Sequence, residues 1–301
     1  MSTVTPRLPR PTPLILRGQR FDAAHPAVMG IVNRTPDSFY APARHADNEA
    51  AVARAVQMVA EGVGIVDVGG VRAGQEGDWV ESAEEIDRVR PVLAALRERI
   101  PHLILSLDTW RAEVADACAG LVDLVNDTWQ GADPELLGVA AATGAGYVVS
   151  HTGGLPPRTD PVDVDYGPGD AVVDDVLRVL RDGAARAEAA GLPRERILVD
   201  PTLDFGKTTL DSLALVRNTA SVVGLGYPVL QAISRKDFVG ETLDLAVDDR
   251  LEGTLAATAI AAWQGATVFR AHDVRATRRV LDMVASIRGD RPPSKSIRGR
   301  P

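Results

Sequence analysis

Gly64-Ile65-Val66-Asp67-Val68-Gly69-Gly70 is the stretch that decides the fold. It is apolar on both alternations, carries one acid, and stops at a glycine pair before a helix-like stretch. Such an unbroken run marks a parallel strand buried on both faces, where a one-sided strand would alternate. Working outward, seven more runs share the design: Ala27–Asn33, Leu103–Thr109, Leu124–Trp129, Tyr147–Thr152, Ile197–Thr202, Val229–Arg235 and Val268–Asp273. Each ends in a small polar cluster and leads into a helical stretch. Eight strand–helix units close into a single (β/α)8 TIM barrel of the α/β class, whose active site gathers at the C-terminal strand ends. Those ends supply Asn33, Asp67, Asp108, Asn126, Asp127, His151, Asp200, Ser234, Arg235, Lys236, Arg270, His272 and Asp273.

The bulk composition narrows the function. At 301 residues the chain suits one such barrel with short extensions. Hydrophobic residues make up 45% and aromatic ones only 4%, so Val, Leu, Ile and Ala must build the core. A net charge of −8 argues against nucleic acid or an anionic membrane as partner, and any anionic ligand must be held by local cations. The one cysteine, Cys118, excludes an intramolecular disulfide and reads as a small buried hydrophobe. No run approaches the ~20 apolar residues of a membrane span, and no secretory-type apolar segment opens the chain. The expected location is cytoplasmic.

Along the chain, Pro-rich residues 1–13 read as a flexible leader and 14–288 as the barrel domain. Residues 289–301, with Arg291, Lys295, Arg298 and Arg300 among prolines and serines, read as a basic flexible tail. Leu14–Asp22 has the makings of a hairpin across the barrel bottom. In the last helix Val274, Thr277, Val280, Leu281, Val284 and Ile287 recur at helical spacing, which puts that face on the barrel. Arg250–Gln264 is rich in Ala, Thr and Gly, which suits close packing on a strand or on another subunit. Three connections are long, Arg34–Asp47, Val71–Ser82 and Gly153–Gly169, and loops on a rigid scaffold are where function concentrates.

Two kinds of polar group stand round the rim. Asp108, Asn126 and Asp200 are short side chains that together can hydrogen-bond an amino- and oxo-substituted heterocycle. Lys236, Arg270 and His272 supply donors from the last two strands, where such barrels often bind an anion. An uncharged ring with an anionic tail fits this division. His151 is open to two readings, pocket wall or ligand contact. Phe205-Gly206-Lys207-Thr208 fails as a phosphate loop because Pro201 stands where the upstream glycine belongs. No grouping has structural-zinc spacing.

Met29-Gly30-Ile31-Val32-Asn33-Arg34-Thr35-Pro36-Asp37-Ser38-Phe39 is very similar to the first-strand signature of dihydropteroate synthases. The resemblance continues through Asp67-Val68-Gly69-Gly70, Leu107-Asp108-Thr109, Asn126-Asp127 and Asp200-Pro201 with Phe205-Gly206-Lys207. It ends with Ser234-Arg235-Lys236 and Phe269-Arg270-Ala271-His272-Asp273-Val274, so it spans nearly the whole barrel in order. It implies a reaction in which a dihydropterin methyl diphosphate loses diphosphate and p-aminobenzoate captures the methylene. By position it implies that Asp108, Asn126, Asp200 and Lys236 hold the pterin, with Asp200 and Lys236 the catalytic pair. Arg270 and His272 would bind the diphosphate, and Asn33 would contact its Mg2+. A homodimer is implied as well.

The resemblance breaks at two loops. Active family members continue the first strand as Ser-Phe-Ser-Asp-Gly-Gly, where this chain reads Ser38-Phe39-Tyr40-Ala41-Pro42-Ala43-Arg44. After the second strand the family has Gly-Gly-x-Ser-Thr-Arg-Pro-Gly, against Gly69-Gly70-Val71-Arg72-Ala73-Gly74 here, with Arg72 the nearest stand-in for the family arginine. These loops order the second substrate, and lost positioning is worth several kcal/mol of a bimolecular barrier. The expectation is a dihydropteroate synthase homologue with an intact pterin end and weak or absent standard activity. The rivals are a fully active synthase and a non-catalytic pterin- or anion-binding module.

Overall fold

The structure is a computed structural model that describes residues 10–33, 41–72, 74, 79–159 and 164–298. An antiparallel hairpin comes first, β1 (Leu14–Leu16) and β2 (Gln19–Phe21). The barrel strands follow: β3 (Ala27–Asn33), β4 (Ile65–Gly69), β5 (Ile104–Asp108), β6 (Leu124–Asn126), β7 (Gly146–Ser150), β8 (Ile197–Asp200), β9 (Leu230–Gln231) and β10 (Val268–Ala271). The first five are followed in turn by α1 (Ala41–Glu61), α2 (Ser82–Arg99), α3 (Ala112–Ala117), α4 (Leu136–Thr143) and α5 (Ala171–Ala189). β8 leads to α6 (Thr209–Arg217) and α7 (Thr219–Val223), β9 to α8 (Asp237–Leu243) and α9 (Leu251–Gln264), and β10 to α10 (Val274–Ile287). The expected α/β architecture of eight strand–helix units is present.

The strands are parallel and ordered β8-β7-β6-β5-β4-β3-β10-β9. Closure between β8 and β9 rests on one bridge, Val199 to Val229, where the Val199 N–H donates to the Pro228 carbonyl at 3.0 Å. Pro228 has no N–H to return, so this seam is thinner than the others.

Period-two alternation divides the strand side chains between two cores. Met29, Ile65, Ile104, Leu124, Val148, Leu198, Leu230 and Val268 point inward and cluster with Leu14, Leu16 and Phe21 of the hairpin. The hairpin therefore plugs the barrel bottom, as its sequence suggests. The alternate residues, Val66, Val68, Leu105, Leu107 and their equivalents, pack outward on the helices. Gly70 allows α2 to close on the strand end: a Cβ there would stand 2.9 Å from Val89 Cγ1 and 3.0 Å from Glu85 Cγ.

Several local expectations change. The run Leu124–Trp129 keeps only three residues in the ladder, because the Asp127 carboxylate accepts the N–H groups of Trp129 and Gly131 and turns the chain outward. The run Val229–Arg235 shortens to two residues, and Arg235 takes a left-handed φ of 57°. α1 starts at Ala41, so the first long connection ends there and residues 34–40 lie outside the described residues. Ile287 is 60% exposed, and Ala285 takes its place on the buried face of α10. Of the leader and tail, residues 1–9 and 299–301 lie outside the described residues. Arg10 pairs with Asp290 at 2.9 Å, and the Thr12 N–H donates to the Gly226 carbonyl at 3.1 Å.

Candidate functional site at the barrel mouth

Because all eight strands are parallel, their C-terminal residues share one mouth. Strand register sets Asn33, Gly69, Asp108 and Asn126 side by side on β3 to β6, and Asp200 beside Ser150 on β8 and β7. Lys236 follows β9, Arg270 lies on β10 and His272 just beyond it. Every sequence-derived rim residue is at this end. Arg72 follows β4 on the same side and is exposed.

The centre of the mouth is an ion network. Arg270 Nε donates to Asp67 Oδ2 at 2.7 Å and its Nη2 to Asp108 Oδ2 at 2.7 Å. Asn126 Nδ2 donates to the same Asp67 oxygen at 3.1 Å, and Thr128 Oγ1 donates to Asp108 Oδ1 at 3.3 Å. Burial, the largest influence, pushes the Asp108 carboxyl up to about 7 against the pull of Arg270, and the carboxylates of Asp67 and Glu85 push the same way. Asp67 Oδ1, Asn126 Oδ1 and Ser106 Oγ are buried with no partner among the described residues. Buried polar atoms are rarely left so, which marks this floor as a recognition surface.

The second half of the site is the loop after β8. Thr202 and Asp204 hold left-handed φ values of 50° and 71°, costly for a β-branched and an acidic residue. Local bonds fix Thr202: its N–H donates to Asp200 Oδ1 at 2.7 Å, and its hydroxyl accepts the His151 N–H at 3.2 Å. Burial raises the Asp200 carboxyl, opposed first by Lys236. The Lys236 ammonium donates to the Leu203 carbonyl and lies 4.7 Å over the Phe205 ring, which packs edge-on against Trp129. Lys207 donates to the carbonyls of His151, Thr202 and Phe205 at 2.8, 3.0 and 2.9 Å. It is a loop staple, in keeping with the failed phosphate-loop reading.

His151 is fully buried, with Nε2 2.9 Å from Asp175 Oδ2 and Nδ1 without a partner among the described residues. Burial, then Lys207, pulls it down to about 4, which keeps the ring neutral. His272 meets the Ser234 hydroxyl at 3.0 Å, and Arg235 is held by Asp273 at 2.9 Å. Sequence reading missed Asp67 as the partner of Arg270, and missed Asp204. The first left a signal, a lone acid inside an apolar strand; the second left none.

A family profile described as pterin binding enzyme matches residues 29–272. The chain belongs to that family. Within the pterin-binding enzymes it is 53% identical to the inactive dihydropteroate synthase 2 of Mycobacterium leprae, over 95% of this chain and 98% of that one. It is 35% identical to the dihydropteroate synthase of Escherichia coli, over 90% and 95%. The Xanthomonas albilineans dihydropteroate synthase solved with 4-aminobenzoic acid superposes with a TM-score of 0.80 at 34% identity, covering 92% and 98%. This pterin-binding-family chain is a dihydropteroate synthase homologue.

Proposed function

We propose that the mouth binds a dihydropterin methyl diphosphate and that the chain condenses it with p-aminobenzoate weakly or not at all. The observation that carries the pterin half is the unpartnered floor, Asp67 Oδ1 and Asn126 Oδ1, flanked by two carboxyls whose burial suits them to a ring. Asp108 and Asp200 would accept ring N–H groups, Asn126 would donate and accept, and Lys236 would donate. In this state the Arg270 fork is spent on Asp67 and Asp108. A ring that takes Asp108 frees one arm of that fork for the diphosphate, beside His272. Loss of diphosphate breaks the methylene C–O bond with the electron pair leaving on oxygen, and cations aimed there stabilise charge that develops in the transition state.

Asn33 fits magnesium through its chemistry: one hard amide oxygen, exposed at the end of β3. No group of three or more His, Cys, Asp or Glu that could hold a metal occurs among the described residues, so an ion would come with the diphosphate oxygens. Mg2+ held there would neutralise charge on the leaving group.

Support for the missing synthase activity is the 53% likeness to a protein named inactive, against 35% to the Escherichia coli enzyme. The rewritten first-strand loop, Ser38–Arg44, belongs to this reading; residues 38–40 lie outside the described residues, and Ala41–Arg44 open α1. A cytoplasmic location also belongs to it; no described helix is long and apolar enough to cross a membrane. So does a homodimer through α9 and α10, where Ile260, Trp263, Met283 and Ile287 are each about half or more exposed. A monomer mass by light scattering at micromolar concentration refutes the dimer.

The deciding experiment gives the protein dihydropterin methyl diphosphate, Mg2+ and p-aminobenzoate, and measures dihydropteroate and diphosphate separately. The expected result is pterin binding with little or no dihydropteroate. Turnover at ordinary synthase rates overturns the proposal, as does failure of the pterin diphosphate to bind.

A further inference from the structure

Arg270 reaches across the barrel mouth. It stands on β10, and its fork closes on Asp67 of β4 and Asp108 of β5, each at 2.7 Å, so the side chain passes β3 on the way. Gly69, beside Asp108 in the strand register, adds no side chain to that path. A Cβ there would stand 3.5 Å from Asp108 Oδ2, the oxygen that takes Arg270.

The two arms of the fork differ. Asp67 is wholly buried and its Oδ2 also accepts a hydrogen bond from Asn126 Nδ2 at 3.1 Å, so the inner arm is anchored in a dry network. The Asp108 and Arg270 side chains are each 19% exposed, so the outer arm opens on the mouth. Asp108 is also a carboxylate to which ring N–H groups would donate. With the fork closed, one guanidinium answers two carboxylates, and an anion arriving at Arg270 meets a charge already balanced. Across a few ångströms in a site poor in water, Coulombic attraction is strong enough for that balance to govern anion affinity.

We infer that Arg270 couples the two ends of the mouth: a ring on Asp108 displaces the outer arm, the inner arm stays on Asp67, and the freed edge of the guanidinium takes a diphosphate group. Filling the ring pocket therefore raises the affinity for diphosphate, and diphosphate raises the affinity for the ring by the same factor. This deepens the pterin reading and rests on it. An empty mouth holds free diphosphate weakly, so that group departs once the ring pocket empties.

The test titrates inorganic diphosphate with Mg2+ into the protein by calorimetry, alone and saturated with hydroxymethyl dihydropterin, a ring that carries no diphosphate. The ring should tighten diphosphate binding by about fivefold or more, and the reverse titration should return the same factor. Arg270→Lys keeps the charge but loses the fork, so the factor should fall toward one. Asp108→Asn releases the outer arm without a ring, and should tighten diphosphate binding to the empty mouth by about fivefold or more. Asp200→Asn removes an acid that does not bond Arg270, and controls for bulk charge with a shift of about twofold or less. A wild-type factor near one, or a ring that weakens diphosphate binding, overturns the inference. So does an Arg270→Lys protein that keeps the full factor, an empty Asp108→Asn mouth that binds diphosphate no better than wild type, or an Asp200→Asn shift as large as that of Asp108→Asn. Failure of the ring to bind is read in its own titration and counts against the pterin reading, while diphosphate binding to Asp108→Asn and Asp200→Asn still decides the role of the fork.

Discussion

At Asp108 burial outweighs the neighbouring guanidinium, and the carboxyl sits at about 7. A ring that donates N–H groups to it requires the ionised form, so binding below that value must expel a proton. Affinity for a pterin diphosphate analogue should therefore rise up to tenfold per pH unit below about 7 and level off above it. Calorimetry from about pH 5.5 to 8.5 checks this, and Asp108→Asn should bind weakly with a flat profile. Lys207 has the opposite linkage. Burial, then Lys236, brings it down to about 7 from 10.5, so between those values the unfolded chain holds a proton that the folded one has lost. Stability should rise with pH across that window. Lys207→Met should abolish the rise, and above about pH 7 it should cost about 1–3 kcal/mol in urea unfolding, because buried carbonyls lose a donor. Asp108, Asn126 and Asp200 were legible in the sequence because strand ends announce themselves by composition. The Arg270–Asp67 pair was not, since it joins side chains 203 positions apart and depends on which residues face inward.

At the level of elements, the hairpin shows how a short sequence gains stability from others. Three-residue strands are marginal alone. Leu14 and Leu16 are almost wholly buried against the inward residues of the barrel, and that burial holds the hairpin in place. Leu16→Ala should cost about 2–5 kcal/mol by urea unfolding while leaving the distant mouth, and so pterin affinity at low denaturant, unchanged. Element type was readable because continuous apolar runs and helical spacing differ in period. Element ends were less so. Side-chain bonds such as those of Asp127 to Trp129 and Gly131, or the left-handed turn at Arg235, remove residues that look like strand from the ladder. The bonds that the Asp237 and Phe238 N–H groups donate to the Asp204 carboxylate belong with these, because a single acid in a loop carries no pattern.

For the whole molecule, the weak point of the cylinder is the β8–β9 seam. Amide exchange should reveal it: Val199, whose N–H crosses the seam, should exchange faster than Val66 or Leu105 in the paired β4 and β5. Equal protection on both would refute this. The pairing of β3 with β10 has a different consequence. The first barrel strand waits for the last one to be made. At ribosomal rates of ~5–20 residues per second, the 241 positions from Ala27 to Val268 take roughly 10–50 s to synthesise. Throughout that interval the nascent chain carries an apolar strand with an unpaired edge, the form most prone to stick to its neighbours. An edge left open that long is the hazard a slow-closing parallel cylinder carries through its own synthesis.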